Sequence, residues 1–258
     1  MSARNDKDAA RRHLIPPPPW GRVTLVVALA GWLAAAGGTA AQDRPPTKIW
    51  DVALGTPVTA LTHDEFVDPA CGTNGGPPAR TLKGFDEFAQ CALDQTTGLH
   101  EVWFRYDDER EYIARARRSE LLIRQYSANT LAGQPIITSL LIDDAGLIEG
   151  YRLVTDQRAE GRTRVAAHGL ADIFKGMVHG PEMTCSDLPP AAGERPMEDL
   201  FIKQVCERRY DGRLARVEAR HYYKPGQYAV DPNDNHLTEN LFESSARLEV
   251  YRPPAAAR

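Results

Sequence analysis

Residues 135–155, PIITSLLIDDAGLIEGYRLVT, hold an apolar run, a turn and a second apolar run, and their reading decides the fold. Ile136, Ile137 and Ile142 make 135–142 a strand, since branched side chains suit a pleated surface. Asp143-Asp144-Ala145-Gly146 turns the chain, and 147–155 returns as the partner strand. In the return, Leu147, Glu149, Tyr151 and Leu153 share one face while Ile148, Gly150, Arg152 and Val154 share the other. Both faces are partly apolar, which places the pair centrally in a sheet. A helix is the preferred cover, with one wall of an internal ligand cavity as the alternative.

Other segments extend the pattern outward. Residues 99–106, after Gly98, alternate and carry strong strand formers; 107–110 reads as a turn and 111–116 as a returning strand. After Gly212, Val217 and Ala219 alternate with Arg216, Glu218 and Arg220 in a half-buried strand, and Lys224-Pro225-Gly226-Gln227 has the order of a type II turn. Residues 228–230 begin the return, and 245–251 form a last strand before a frayed tail. Helical spacing appears in 82–92 through Phe85, Phe88 and Cys91, in 162–177 through Val165, Ala166, Leu170, Ile173, Phe174 and Met177, and in 197–205. Antiparallel hairpins packed with about three helices make the class α+β. Residues 42–70 read as an extended lead-in, because Pro45, Pro46 and Pro57 discourage a helix. Residues 42–258 are expected to form one exported globular region, with a subdivision near 130–160 left open.

The four cysteines fall into two similarly spaced pairs, Cys71 with Cys91 and Cys185 with Cys206. Two local disulfides are expected, although four cysteines formally allow three pairings. Each pair is followed by a glycine and a strand-like run, so the chain reads either as two related halves or as unrelated loops that happen to be stapled alike.

An oxidising compartment is consistent with the start of the chain. Arg4, Lys7, Arg11, Arg12 and Arg22 outnumber Asp6 and Asp8 and precede an apolar run at 23–36, too short to span a bilayer comfortably. Small residues at 37–41 supply a processing site before Gln42, so 1–41 reads as a signal peptide, with an uncleaved anchor as the alternative. Its loss removes five basic and two acidic groups from totals of 31 and 35, leaving a net charge near −7. That balance disfavours nucleic acid and anionic membranes as partners. No later segment is long and apolar enough for a stable membrane span. Localisation is therefore expected to be periplasmic or secreted.

Motifs for chemistry are sparse. Residues 71–78 are glycine-rich but lack the Gly-Lys-Ser/Thr of a phosphate-binding loop. The histidines show no metal-ligand spacing, no nucleophile elbow occurs, and the disulfide reading occupies all four cysteines. Asp231, Asn233 and Asn235 imitate the start of a calcium loop, but His236 stands where glycine is needed, and a polar turn is preferred. No catalytic, cofactor-binding or metal residue is assigned. Tyr222, Tyr223 and Tyr228 bracket the Pro225-Gly226 turn and are the candidate binding residues, with ordinary sheet packing as the competing role. The expected function is binding of an envelope protein or a small apolar ligand; the alternative is a periplasmic hydrolase with dispersed catalytic residues.

Overall fold

The computed structural model describes residues 47–61, 64–178, 182–225 and 242–253, together with the backbone alone of 228–230 and 237–239. The expected signal segment, the turn at Gly226 and the acidic loop 231–236 lie outside the described residues. Thr56–Pro57 (β1), Phe66–Cys71 (β2) and His100–Tyr106 (β3) come first, followed by the helices Glu109–Ala116 (α1) and Glu120–Tyr126 (α2). Thr130–Leu131 (β4), Gln134–Ile142 (β5) and Leu147–Thr155 (β6) lead into Gly161–Val165 (α3) and Leu170–Met177 (α4). The chain continues through Thr184–Asp187 (β7), Ile202–Tyr210 (β8), Arg213–Tyr223 (β9), Tyr228–Val230 (β10), Leu237–Glu239 (β11) and Phe242–Tyr251 (β12).

Ten strands form one antiparallel sheet with the path β2-β3-β5-β6-β12-β9-β8-β7; β1 adds to β6 and β4 to β5, while β10 and β11 pair separately. The class is α+β. The 135–155 hairpin is central, with β6 between β5 and β12. Strands before and after residues 130–160 belong to this same sheet.

A bulge at Glu149 modifies the facing read from simple alternation. Leu141 lies opposite Gly150, but Ile142 lies opposite Ile148, so one residue is skipped. Ile148 consequently joins Leu153 and Tyr151 in the main apolar cluster. Gly150 is needed beside the bulge: a Cβ there would sit 2.4 Å from the Tyr251 Cβ and 2.5 Å from the Val250 carbonyl oxygen.

One face of the sheet carries Phe104, Leu140, Leu153, Leu248 and Val217, all buried in the main cluster. Leu170, Ala171 and Phe174 of α4 join it, packed against β9 and β12. The expected helical cover is therefore real, but it lies over β9 and β12 rather than over the 135–155 hairpin. The opposite face carries a small cluster of Leu99, Leu141, Leu214 and Tyr251 and then a row of charge.

Three local expectations are corrected. Residues 111–116 are helical, within α1, because Ala114 and Ala116 favour a helix and Arg115 reaches back one turn to Glu111 at 2.5 Å. The 82–92 segment is a 3-10 helix, Phe85–Gln90, and the three-residue interval between Phe85, Phe88 and Cys91 is the period of that tighter helix. Residues 197–205 are a tight turn and the start of β8: Met197 and Leu200 exchange both backbone hydrogen bonds around Glu198 and Asp199, whose φ values are 49° and 66°. Two successive positive φ values define a hairpin turn that matches strand twist and cannot open a helix. The 162–177 segment is helical but broken, with a 3-10 turn at Ala166–Gly169 between α3 and α4.

Candidate ligand-binding cleft

Where β6 ends, Asp156 is held by the Pro135 carbonyl at 2.9 Å, and the chain turns away from the sheet into α3. A cleft of about 1240 Å³ opens there. Its walls include Gln157, Arg158, Arg162 and Arg164 from the β6–α3 passage, Glu198 from the tight turn before β8, and Phe242 at the start of β12. Ligand clefts commonly have volumes of several hundred to about a thousand Å³, with an apolar wall and a few polar groups.

The arginines have different surroundings. Arg158 is committed to Asp156, with a 2.7 Å Nη2–Oδ2 contact, and this cation holds the Asp156 carboxyl below its ordinary range against the upward push of burial. Arg164 lays its guanidinium over the Phe242 ring, 4.9 Å from the centroid. Its Nε is buried and has no hydrogen-bond partner among the described residues. A donor left in that condition costs about 1–3 kcal/mol.

Beneath this wall, Ser244 of β12 fastens the helical passage to the sheet. Its hydroxyl donates to the Val165 carbonyl at 2.6 Å, and the His168 amide donates to Oγ at 3.3 Å. His168 Nδ1 and His221 Nδ1 lie 3.2 and 3.3 Å from the same oxygen, with the imidazole rings 4.2 Å apart. Gln157 Nε2 donates to the Ser244 carbonyl at 3.1 Å. Burial lowers the pKa of His221, the neighbouring His168 lowers it further, and Glu198 opposes both.

A serine and two histidines thus come together without the geometry of an activated nucleophile. Ser244 is fully buried, and its proton is directed at a carbonyl rather than at an imidazole. Nucleophilic catalysis needs that proton to pass to a base and the oxygen to reach substrate. The arrangement anchors α3.

The candidate tyrosines separate. Tyr222 is 4% exposed, stacks on Phe201 at 5.3 Å, and has its phenol pKa raised by burial and then by Glu194. Tyr223 is half-buried beneath the Arg195 guanidinium, 4.4 Å from its ring centroid. Its register partner is Phe242, which puts Tyr223 beside the cleft wall and Tyr222 on the other face. The side chain of Tyr228 lies outside the described residues.

Cys71 is bonded to Cys91 and Cys185 to Cys206. No described helix is long and apolar enough to cross a membrane. Among the described residues, no group of three or more His, Cys, Asp or Glu side chains is arranged to hold a metal ion.

Sequence reasoning missed the cleft because its parts come from residues 157–166, 198 and 242. The available signal was Arg162 and Arg164 in an arginine-rich passage directly after a central strand. No family model, curated protein or solved structure matches the chain.

Proposed function

We propose that the chain is an exported cell-envelope binding protein whose β6–α3 cleft takes a small ligand with an apolar body. The observation that carries this reading is the 1240 Å³ cleft walled by Phe242 and by arginines from a segment pinned to the sheet. An envelope protein offering an apolar side chain to the cleft is the other partner class. The two disulfides support an oxidising compartment such as the periplasm or cell exterior. The short apolar run at 23–36 supports export by a cleaved signal.

Native mass spectrometry of protein purified from its own envelope extract tests the reading. A bound small molecule or partner is expected on the natural chain, and Phe242→Ala should lose it while keeping the thermal transition within a few degrees. Bare chain in both preparations would remove the cleft as a binding site. Intact mass should begin near Gln42; a full-length chain retained in the membrane fraction would overturn the export assignment.

A further inference from the structure

We infer that the cleft selects an amphipathic anion, with a carboxylate or phosphate group set against Arg164 and an apolar body along Phe242. This rests on the binding reading above and adds the charge of the ligand.

The formal balance of the wall does not decide the sign. Arg162 and Arg164 face Glu160 and Glu198, while Arg158 is already neutralised by Asp156. Position decides it. Glu160 and Glu198 are exposed, where water screens their charge, whereas Arg164 is half-buried with its Nε removed from solvent. Arg162 and Arg164 form no ion pair among the described residues. A charge in a less polar setting acts more strongly than one in water, so the inner guanidinium outweighs the rim carboxylates for a ligand that reaches it.

The chemistry of Arg164 narrows the ligand. A guanidinium is a planar fork of donors that matches carboxylate and phosphate oxygens. The guanidinium lies over Phe242, 4.9 Å from the ring centroid, so a cationic donor group and an apolar surface adjoin in the wall. An oxyanion approaching at the edge can receive hydrogen bonds while its attached hydrocarbon covers apolar wall. A neutral apolar molecule would leave the guanidinium charge without a counter-charge, and a cation would meet it with like charge.

Calorimetric titration of the full disulfide-bonded chain with octanoate, octyl phosphate and octan-1-ol tests this. At least one anion should bind ten-fold or more tightly than the alcohol, and the better anion assigns the head group as carboxylate or phosphate. Arg164→Gln should reduce that preference to less than about two-fold, whereas Phe242→Ala should weaken anion and alcohol alike. If Arg164→Gln lowers the thermal transition sharply, Arg162→Gln on an exposed side chain supplies the second arm, with a smaller loss of anion preference expected. Equal binding of the alcohol and both anions to the natural chain would overturn the anion inference and leave the binding cleft standing. Failure of all three probes would overturn both.

Discussion

Strand β12 contributes to two buried polar clusters on opposite faces of the sheet, and they solve the problem of burial differently. On one face, Ser244 meets His168 and His221 around a single hydroxyl. On the other, fully buried Arg152 meets three carboxylates: Glu101 at 2.6 Å, Glu249 at 2.7 Å and Asp94 at 3.2 Å. The Glu101 contact is chiefly one of charge, since Arg152 Nη1 lacks hydrogen-bond geometry to a described partner.

The charged cluster also organises its own roof. Glu101 accepts from the Asn74 amide at 2.7 Å, Arg247 donates to the Asn74 side chain and to its carbonyl, and Glu249 accepts from Arg247. Asp94 accepts from the Thr96 and Thr97 amides at 3.0 and 2.8 Å. Two loops, after Cys71 and after Cys91, are thereby drawn over Arg152, and the Cys71–Cys91 bond ties their starting points together. The neutral cluster needs one hydroxyl to hold one helical passage. The charged cluster uses opposite charges to hold two loops, and removing one member leaves charge without compensation.

Arg152→Ala should therefore have the largest effect, about 3–5 kcal/mol of lost stability in urea unfolding, because three carboxylates remain near a vacated cation site. Combining Arg152→Met with Glu101→Gln and Glu249→Gln should recover part of that loss. No recovery would show that shape, rather than charge compensation, governs the site.

The two disulfides give the next contrast. They close nearly equal separations of 20 and 21 residues, so chain entropy alone assigns each a similar ~2–4 kcal/mol. Cys185 and Cys206, however, lie directly opposite on already paired β7 and β8, with every β7 residue exposed. The double replacement Cys71→Ala with Cys91→Ala should lower the unfolding midpoint more than Cys185→Ala with Cys206→Ala. Equal shifts would mean that the roof does not depend on its clamp.

On the neutral face, Ser244→Ala should cost about 1–3 kcal/mol, since the Val165 carbonyl loses its buried donor. Amide exchange in 161–169 should accelerate more than exchange in β3. The reverse order would contradict the anchoring role.

The smallest effect separates the clusters by pH. His221 has a lowered folded pKa, so its contribution is fully present above the unfolded value near 6.5 and is lost as pH falls through the folded value. Burial pushes the Asp94 carboxyl upward, but the Thr97 amide and the Arg152 charge outweigh it and hold the pKa below 3.8. Its contribution is present above the unfolded value and is lost at more acid pH, through that lower folded value. Urea midpoints from pH 7.5 to 5 should fall less steeply in His221→Phe than in the natural chain, while Asp94→Asn should alter mainly the range below about pH 4. A change in slope confined to the same window for both variants would refute the separation.

Much of the strand pattern was legible because burial on a pleated surface imposes alternation. Residues 135–155 occupy β5 and β6, residues 99–106 β3 and residues 214–222 β9, with little displacement. Helical segments were less legible: a three-residue apolar interval fits a 3-10 turn as well as an α-helix, and Leu200, Phe201 and Val205 gave no sign of the positive φ at Glu198 and Asp199. The cleft was less legible still, since no local pattern brings Phe242 under Arg164.

By itself the sequence determined the alternating strands, their antiparallel turns and the cysteine spacings, because each depends on chemistry within a short length of chain. Only the tertiary structure decided that Arg152 is the charge at the centre of the sheet. Its residue type predicts an exposed side chain, and the three carboxylates that make its burial tolerable come from segments 58, 51 and 97 residues away. The strand order that places β12 beside β6 is a solution to burial over the whole chain, and pairing at such distances leaves no mark in local periodicity.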